Sequence, residues 1–382
     1  MLLDFETLRF IWWLLLGVLF IGFAVMDGFD LGVAMLQPLV ARTETERRIV
    51  LNTIGPVWEG NQVWIILGAG AIFAAWPFVY SVAFYGFYLL ILLLLLTMGI
   101  SRPVSFKYRS KLPNMFWRRF WDWIVFIGGL FPAIIFGLLV GNILTGLPFY
   151  FENDLRIFYS GSFFALFHPF AFWCALVSVA MLAMHGGLYL AVKTNQPIRD
   201  RAIFWSRRAA LITIVSFAIG GYWVAFGLEG YEVISEVDPA GYSNPLHKEV
   251  VSKLGAWVLN YSRYPITMAA PILGFAGAIL AFLTARLGNS RFAFICSSLS
   301  VIGIIATVGV SMFPFILPSA TNLSSGLLVW DSSSSQLTLL MMLFAVIIFM
   351  PIILLYTSWV YHALRGKVSK EMIEHDEKHT AY

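Results

Sequence analysis

The sequence predicts an all-α polytopic membrane protein with nine transmembrane helices, organised as one integral-membrane domain over residues 1–382. Its 382 residues are 59% hydrophobic and 12% charged, with a mean hydropathy of +0.80, which is too apolar for a soluble globular domain. The apolar residues form runs long enough to cross a hydrocarbon core of about 30 Å, which takes roughly 20 helical residues. Strand-like alternation is absent, so helices rather than a β-barrel are expected to satisfy the backbone in lipid.

Nine apolar runs are the predicted spans, and in chain order they cover about 8–36, 50–75, 79–101, 119–141, 163–192, 203–227, 262–286, 291–315 and 336–362. The segment before the first run carries Asp4 and Glu6 and lacks the basic region of a cleavable signal, so we expect this span to be retained. The serines that end at Ser335 predict an N-cap for a last helix that begins at Gln336.

The basic residues predict the orientation of the chain. With the N-terminus outside, the loops after odd-numbered spans and the C-terminal tail hold 20 of the 25 Lys and Arg residues. Such a bias is typical of cytoplasmic segments, so the C-terminus is expected in the cytoplasm. The net charge of +4 therefore reflects the membrane topology rather than a surface for nucleic acid, and nucleic acid is not an expected partner.

Three carboxylates, Asp27, Asp30 and Glu59, interrupt the first two runs. An ionised group at the centre of a membrane helix costs about 2.5–3.5 kcal/mol on insertion scales, so it is normally kept for a partner or a water-filled path. Asp27 and Asp30 are three residues apart and share one helix face, beside the small residues Gly28 and Gly32, which allow close helix packing. With no basic residue expected at their depth, the three acids predict a proton or cation route; capping or packing of the backbone is the alternative.

The residues around Glu59 favour a role in proton transfer. Asn61 and Gln62 offer donors and acceptors for an ordered water chain, and the tryptophans at positions 58 and 64 would limit the wet volume. Burial of Glu59 without a cation would favour its neutral form, which suits a proton carrier. The alternative is that Asn61 and Gln62 only join helices by hydrogen bonds.

Two further expectations concern metal and haem. His185 is the only histidine expected well inside the membrane, and without a paired axial ligand it is interpreted as a hydrogen-bonded packing residue. The other histidines form no metal-type cluster, so no metal site is predicted in this chain.

Several motifs resemble subunit II of the cytochrome bd quinol oxidases along the whole chain. They include the segments at 8–13, 27–32, 58–64, 73–77, 102–103, 243–246, 313–315, 318–319, 330–331 and 334–338. The resemblance implies two four-helix bundles plus one peripheral helix, in a multi-pass protein of the bacterial inner membrane. It also implies a partner subunit I that carries haem b and haem d, in a complex that oxidises quinol, reduces oxygen to water and generates proton-motive force.

The same resemblance implies proton uptake at Glu59, where some relatives have Asp. One departure is Val57, where some members have His, so a relay through that imidazole needs another group here. The resemblance leaves open whether the quinol is ubiquinol or menaquinol, whether this chain holds a structural quinone and whether a small single-span accessory subunit joins. From the residues alone, a proton-coupled secondary transporter and a purely structural subunit are the alternatives.

Overall fold

The computed structural model describes residues 3–374, and most of them are helical. In chain order the helices are α1 (Phe5–Val40), α2 (Glu44–Ile54), α3 (Trp58–Ala75), α4 (Pro77–Gly86), α5 (Tyr88–Leu94), α6 (Arg102–Tyr108), α7 (Met115–Thr145), α8 (Pro169–Lys193), α9 (Ile198–Phe226), α10 (Leu259–Arg263), α11 (Ala269–Arg286), α12 (Ser290–Met312), α13 (Gln336–Ala363) and α14 (Lys370–Glu374). A π-helical segment, Leu95–Ser101, joins α5 to α6.

The all-α membrane fold is confirmed, although the exact set of nine spans is not. Among residues 3–374, eight helical segments are long and apolar enough to cross a membrane. The predicted continuous span at 50–75 is wrong, because α2 ends at Ile54 and α3 begins at Trp58. Pro56 lies in the break, where its ring and missing N–H prevent an uninterrupted helix. The predicted tail beyond residue 374 lies outside the described residues.

Two other predicted spans are also interrupted. The run at 79–101 corresponds to a longer helical stretch from α4 to α6 that departs from helical geometry at Phe87. The run at 262–286 is broken at Tyr264, and its continuous helix begins only at Ala269. Proline again follows the break, at position 265.

The centre of the molecule is the contact between α1 and α8. Gly32 and Gly186 meet there so closely that a Cβ on either would collide with the opposite backbone, which confirms the predicted role of the small residues in α1. Helices α3 and α7 also pack on α1, whereas α9 and α12 pack on α8 and α11 packs on both of these. Helix α13 lies at the periphery against α1 and α3.

The long loops at one end of the bundle contain three antiparallel hairpins that the sequence analysis did not predict. They pair β1 (Phe149–Phe151) with β2 (Ile157–Tyr159), β3 (Glu229–Val233) with β4 (Val250–Leu254), and β5 (Phe315–Leu317) with β6 (Leu327–Leu328). The predicted N-cap is confirmed, because the Ser335 hydroxyl accepts from the backbone N–H of Thr338.

Buried charged side chains connect these loops to each other and to α1. Arg9 of α1 is fully buried and donates to the Ser333 hydroxyl at 2.7 Å and to the Pro239 carbonyl at 2.6 Å. Lys248 donates to the Asp331 carboxylate at 2.6 Å. Burial raises the pKa of Asp331, and the neighbouring Lys248 offsets only part of this effect.

Candidate proton-transfer site

Asp27 and Asp30 lie on the inward face of α1, as their spacing predicts. Both side chains are buried, with exposed fractions of 0% and 1%, and each carboxyl group lies within electrostatic range of the other. Asp27 Oδ2 and Asp30 Oδ1 accept no hydrogen bond from a protein donor within residues 3–374. Each of these oxygens is therefore available to carry a proton.

A buried arginine pairs with these acids, contrary to the expectation that no basic residue lies at their depth. Arg102 Nη2 donates to Asp27 Oδ1 at 2.7 Å, and neither side chain is exposed. Arg102 directly follows the predicted third span at 79–101, and on that basis it would lie in a cytoplasmic loop. The π-helical segment instead continues directly into α6, so the helix carries Arg102 inward.

The surroundings of Arg102 explain how it fits between the helices. Its guanidinium lies 5.6 Å from the ring of Trp58, which stacks on Phe106 with ring centroids 5.4 Å apart. Gly128 of α7 faces it, and a Cβ at that position would lie 3.1 Å from the Cβ of Arg102. The predicted supporting residue Trp58 thus packs near Arg102 and does not enclose a water-filled space around Glu59.

Two side chains from distant helices extend the acid pair. Asn61 of α3, a predicted supporting residue, donates from Nδ2 to Asp30 Oδ2 at 2.8 Å. The hydroxyl of Tyr361, two residues before the end of α13, donates to Asn61 Oδ1 at 2.7 Å. Tyr361 was missed, since a tyrosine in a long apolar run carries no distinguishing signal in one sequence.

Glu59 is exposed, so the prediction that this chain buries its carboxyl group is wrong. It lies in the first turn of α3 with 63% of its side chain exposed, and Oε1 is 3.5 Å from Lys107 Nζ. Two residues on a helix differ by about 200° in direction. Because Asn61 points toward α1, Glu59 points away from the bundle.

The remaining predicted supporting residues do not converge on Glu59 either. Trp64 is buried and packs against Gly22 of α1, while Gln62 is half-buried. The structure therefore groups Asp27, Asp30 and Asn61 and separates Glu59 from them.

The charges of the buried cluster define what it can do chemically. Two carboxyl groups and one guanidinium carry a net charge of −1 when all are ionised, and a single added proton makes the cluster neutral. An uncompensated charge in an apolar interior is costly, whereas a neutral, hydrogen-bonded cluster is tolerated. The cluster is therefore suited to hold one exchangeable proton.

His185 has the geometry of a packing residue. Nε2 donates to the Val25 carbonyl at 2.9 Å, and Nδ1 lies 2.8 Å from the Ser297 hydroxyl. Its ring also stacks on Phe294, with centroids 4.8 Å apart. Both ring nitrogens are thus engaged, and the residue does not fit the role of an axial haem ligand.

An ion-pair network beyond the acid cluster holds α2, the end of α6 and α7 together. Arg109 is 1% exposed and donates to the carboxylates of Asp122 and Glu44, and Arg47 pairs with Asp122 at 3.3 Å. Burial acts to lower the pKa of Arg109, but the two carboxylates outweigh this effect and raise it. This network holds α6, the helix that carries Arg102, against α2 and α7.

Comparison with known proteins gives consistent matches over nearly the whole chain. Residues 8–364 match the family model described as cytochrome bd terminal oxidase subunit II. The chain is 48% identical over 381 residues to cytochrome bd-I ubiquinol oxidase subunit 2 of Escherichia coli K12, and 44% identical to a probable cytochrome oxidase subunit 2 of Haemophilus influenzae; each match covers 100% of both chains. The cytochrome bd ubiquinol oxidase subunit 2 of Bacillus subtilis is 27% identical over 95% of this chain and 97% of its own.

A solved structure shares the fold. A chain of the bd oxidase from Geobacillus thermodenitrificans superposes with a TM-score of 0.67, covering 94% of this chain and 98% of its own, at 15% sequence identity. At this identity, the likeness shows the fold alone.

Proposed function

Because this chain belongs to the cytochrome bd terminal oxidase subunit II family, we propose that it delivers protons to the oxygen-reducing site of its complex. The chain is a subunit of a cytochrome bd quinol oxidase, a respiratory oxidoreductase of the inner membrane in which the partner, subunit I, carries haem. The family assignment sets aside the alternative of a secondary transporter. Haem b and haem d both belong to the partner in this proposal.

The observation that carries the proposal is the hydrogen-bonded series Tyr361–Asn61–Asp30, which lies beside the pair formed by Asp27 and Arg102. Tyr361 lies near the end of α13 that the basic residues assign to the cytoplasm. The series therefore leads from that end to the buried acids. The Asp27–Asp30 pair holds one proton. The charge of Arg102 then balances the remaining carboxylate, so the cluster is neutral overall.

Tyr361 and Asn61 do not titrate in this proposal; they orient the Asp27–Asp30 pair that holds the proton. The phenol donates to the amide oxygen of Asn61, and this fixes the amide so that its N–H groups face Asp30. An ionised Asp30 gains more from that hydrogen bond than a protonated one, so the contact favours release of the stored proton.

Glu59 belongs to the face that we propose subunit I covers. Helices α3 and α13 expose large apolar side chains there, among them Ile66, Phe73, Ile347 and Trp359. A docked partner would bury these side chains and enclose the Glu59–Lys107 pair. Glu59 then becomes the group that passes protons to the partner, while Val57 offers no titratable side chain for this step.

The proposal is tested in the assembled complex with Asp30→Asn and Glu59→Gln. Both changes keep the shape but remove a titratable group. Quinol-driven oxygen consumption and proton uptake in proteoliposomes are therefore expected to fall by about 100-fold or more, the usual contribution of a proton-transfer group. Haem content should stay unchanged, and Glu59→Asp should retain part of the activity.

Asp200→Asn is the matched control, since it removes an exposed acid from the first turn of α9, away from the cluster. It should leave turnover unchanged. Full turnover and proton uptake in both test variants, with intact haem, would reduce the acids to packing residues and favour the purely structural alternative.

A further inference from the structure

The groove between α9 and α11 ends in a set of arginines that proton transfer does not use. Two contacts define this end: Arg199 Nη2 donates to the Gly288 carbonyl at 2.8 Å, and the Arg207 guanidinium lies 4.8 Å from the Phe282 ring centroid. The later residue of α9, Arg207, contacts Phe282, which comes before Gly288 in the chain. The two helices are therefore antiparallel. Arg286 lies one turn from Phe282 on the same face of α11, between these two levels.

The charge at this end of the groove is strongly positive. The stretches 198–208 and 282–291 contain six arginines and one acid, Asp200. Arg201 pairs with Glu46 of α2. Aromatic rings, rather than carboxylates, support the two arginines nearest the membrane: Arg207 lies over Phe282, and Arg208 lies 4.0 Å from the ring centroid of Phe204.

These arginines lie at the ends of two apolar spans, the level at which phospholipid headgroups are expected. Arg207 and Arg208 come directly before the uncharged stretch 209–226 of α9, and Arg286 comes directly after the uncharged stretch 265–285. Toward the membrane interior, the outer surface of the groove is apolar and exposed, with Leu211 and Val215 on α9 and Ile279 and Leu283 on α11. The groove therefore has positively charged side chains at its end and an exposed apolar surface along which acyl chains can lie.

We propose that this groove binds one anionic phospholipid, with its phosphodiester between Arg207 and Arg286 and its acyl chains along α9 and α11. Planar guanidinium groups bind phosphate oxygens in a bidentate manner, and stacking on Phe282 holds that of Arg207 in place. Basic pockets between membrane helices are known to bind anionic headgroups. A zwitterionic lipid fits less well because its ammonium group meets the same arginines.

The test uses the delipidated, detergent-solubilised complex, titrated with phosphatidylglycerol or phosphatidylcholine and examined by native mass spectrometry for bound lipid. The Arg207→Gln/Arg286→Gln variant is compared with Arg42→Gln/Lys111→Gln, which removes the same charge from exposed positions elsewhere at the same end. The wild type and the control are expected to bind one phosphatidylglycerol equally well. The test variant should bind it about 30-fold more weakly, as the loss of two arginines at a membrane surface implies. Haem content and subunit association report assembly.

Three outcomes would overturn the proposal. Equal weakening in the control would show that surface charge alone attracts the lipid, and unchanged binding in the test variant would exclude the groove. Displacement of the lipid by millimolar inorganic phosphate would indicate a site for the free ion.

Arg207→Lys keeps the proposal testable if the double variant does not assemble. It retains the charge but loses the planar stack on Phe282, so binding of phosphatidylglycerol should weaken several-fold. Unchanged binding in that variant would refute the role of Arg207.

Discussion

The buried pair of Asp27 and Arg102 predicts a large loss of stability when either partner is removed. Their side chains are fully inaccessible, and the hydrogen bond between them is 2.7 Å long. Breaking a buried pair from one side leaves an uncompensated charge and costs about 3–5 kcal/mol. For Asp27→Asn we expect the lower end of this range, because Asp30 remains close to the guanidinium. For Arg102→Gln we expect the upper end, because two carboxyl groups then face each other without a cation.

The assay is equilibrium unfolding of the complex in mixed detergent micelles containing sodium dodecyl sulfate, monitored by tryptophan fluorescence and by the haem spectrum. The two single variants and Asp27→Asn/Arg102→Gln form a double-mutant cycle. Removing both charges relieves the penalty that each single change creates, so the coupling energy should reach about 2 kcal/mol or more.

An exposed ion pair gives the matched control. Asp154 and Arg156 pair on the β1–β2 hairpin with more than half of each side chain in solvent. The cycle of Asp154→Asn and Arg156→Gln is therefore expected to show a coupling below about 1 kcal/mol. A coupling for Asp27 and Arg102 no larger than this control would refute the argument that their burial makes the pair costly to break.

Two further predictions concern packing and orientation. Gly32→Ala places a methyl group against the Leu182 carbonyl oxygen, so we expect a loss of about 1–3 kcal/mol or more and less assembled complex on native gels, whereas Gly17→Ala, with no atom within 4 Å of the new Cβ, should be neutral. Single cysteines at Ser110 and Ser235 report the orientation: a membrane-impermeant thiol reagent should label the first only in opened cells and the second in intact cells, and the reverse pattern would invert the proposed topology.

The sequence by itself determined the class of fold and the family. Hydropathy, the distribution of basic residues and the end-to-end motifs are properties of the linear chain, so they need no knowledge of how helices pack. The shared face of Asp27 and Asp30, the packing role of Gly32 and the N-cap at Ser335 also followed, because each depends on the geometry of one helix. The break at Pro56 is equally local, because a proline within an apolar run interrupts a helix whatever the helix packs against.

Only the tertiary structure decided which groups the acids meet. Arg102 is 75 residues from Asp27 and Tyr361 is 300 residues from Asn61, so no local pattern links them. Glu59 points outward because the rotation of α3 is set by the neighbours that bury Trp58, Asn61 and Trp64. The direction of a side chain around a membrane helix depends on packing against other helices, whereas hydropathy records only that the helix lies in the membrane.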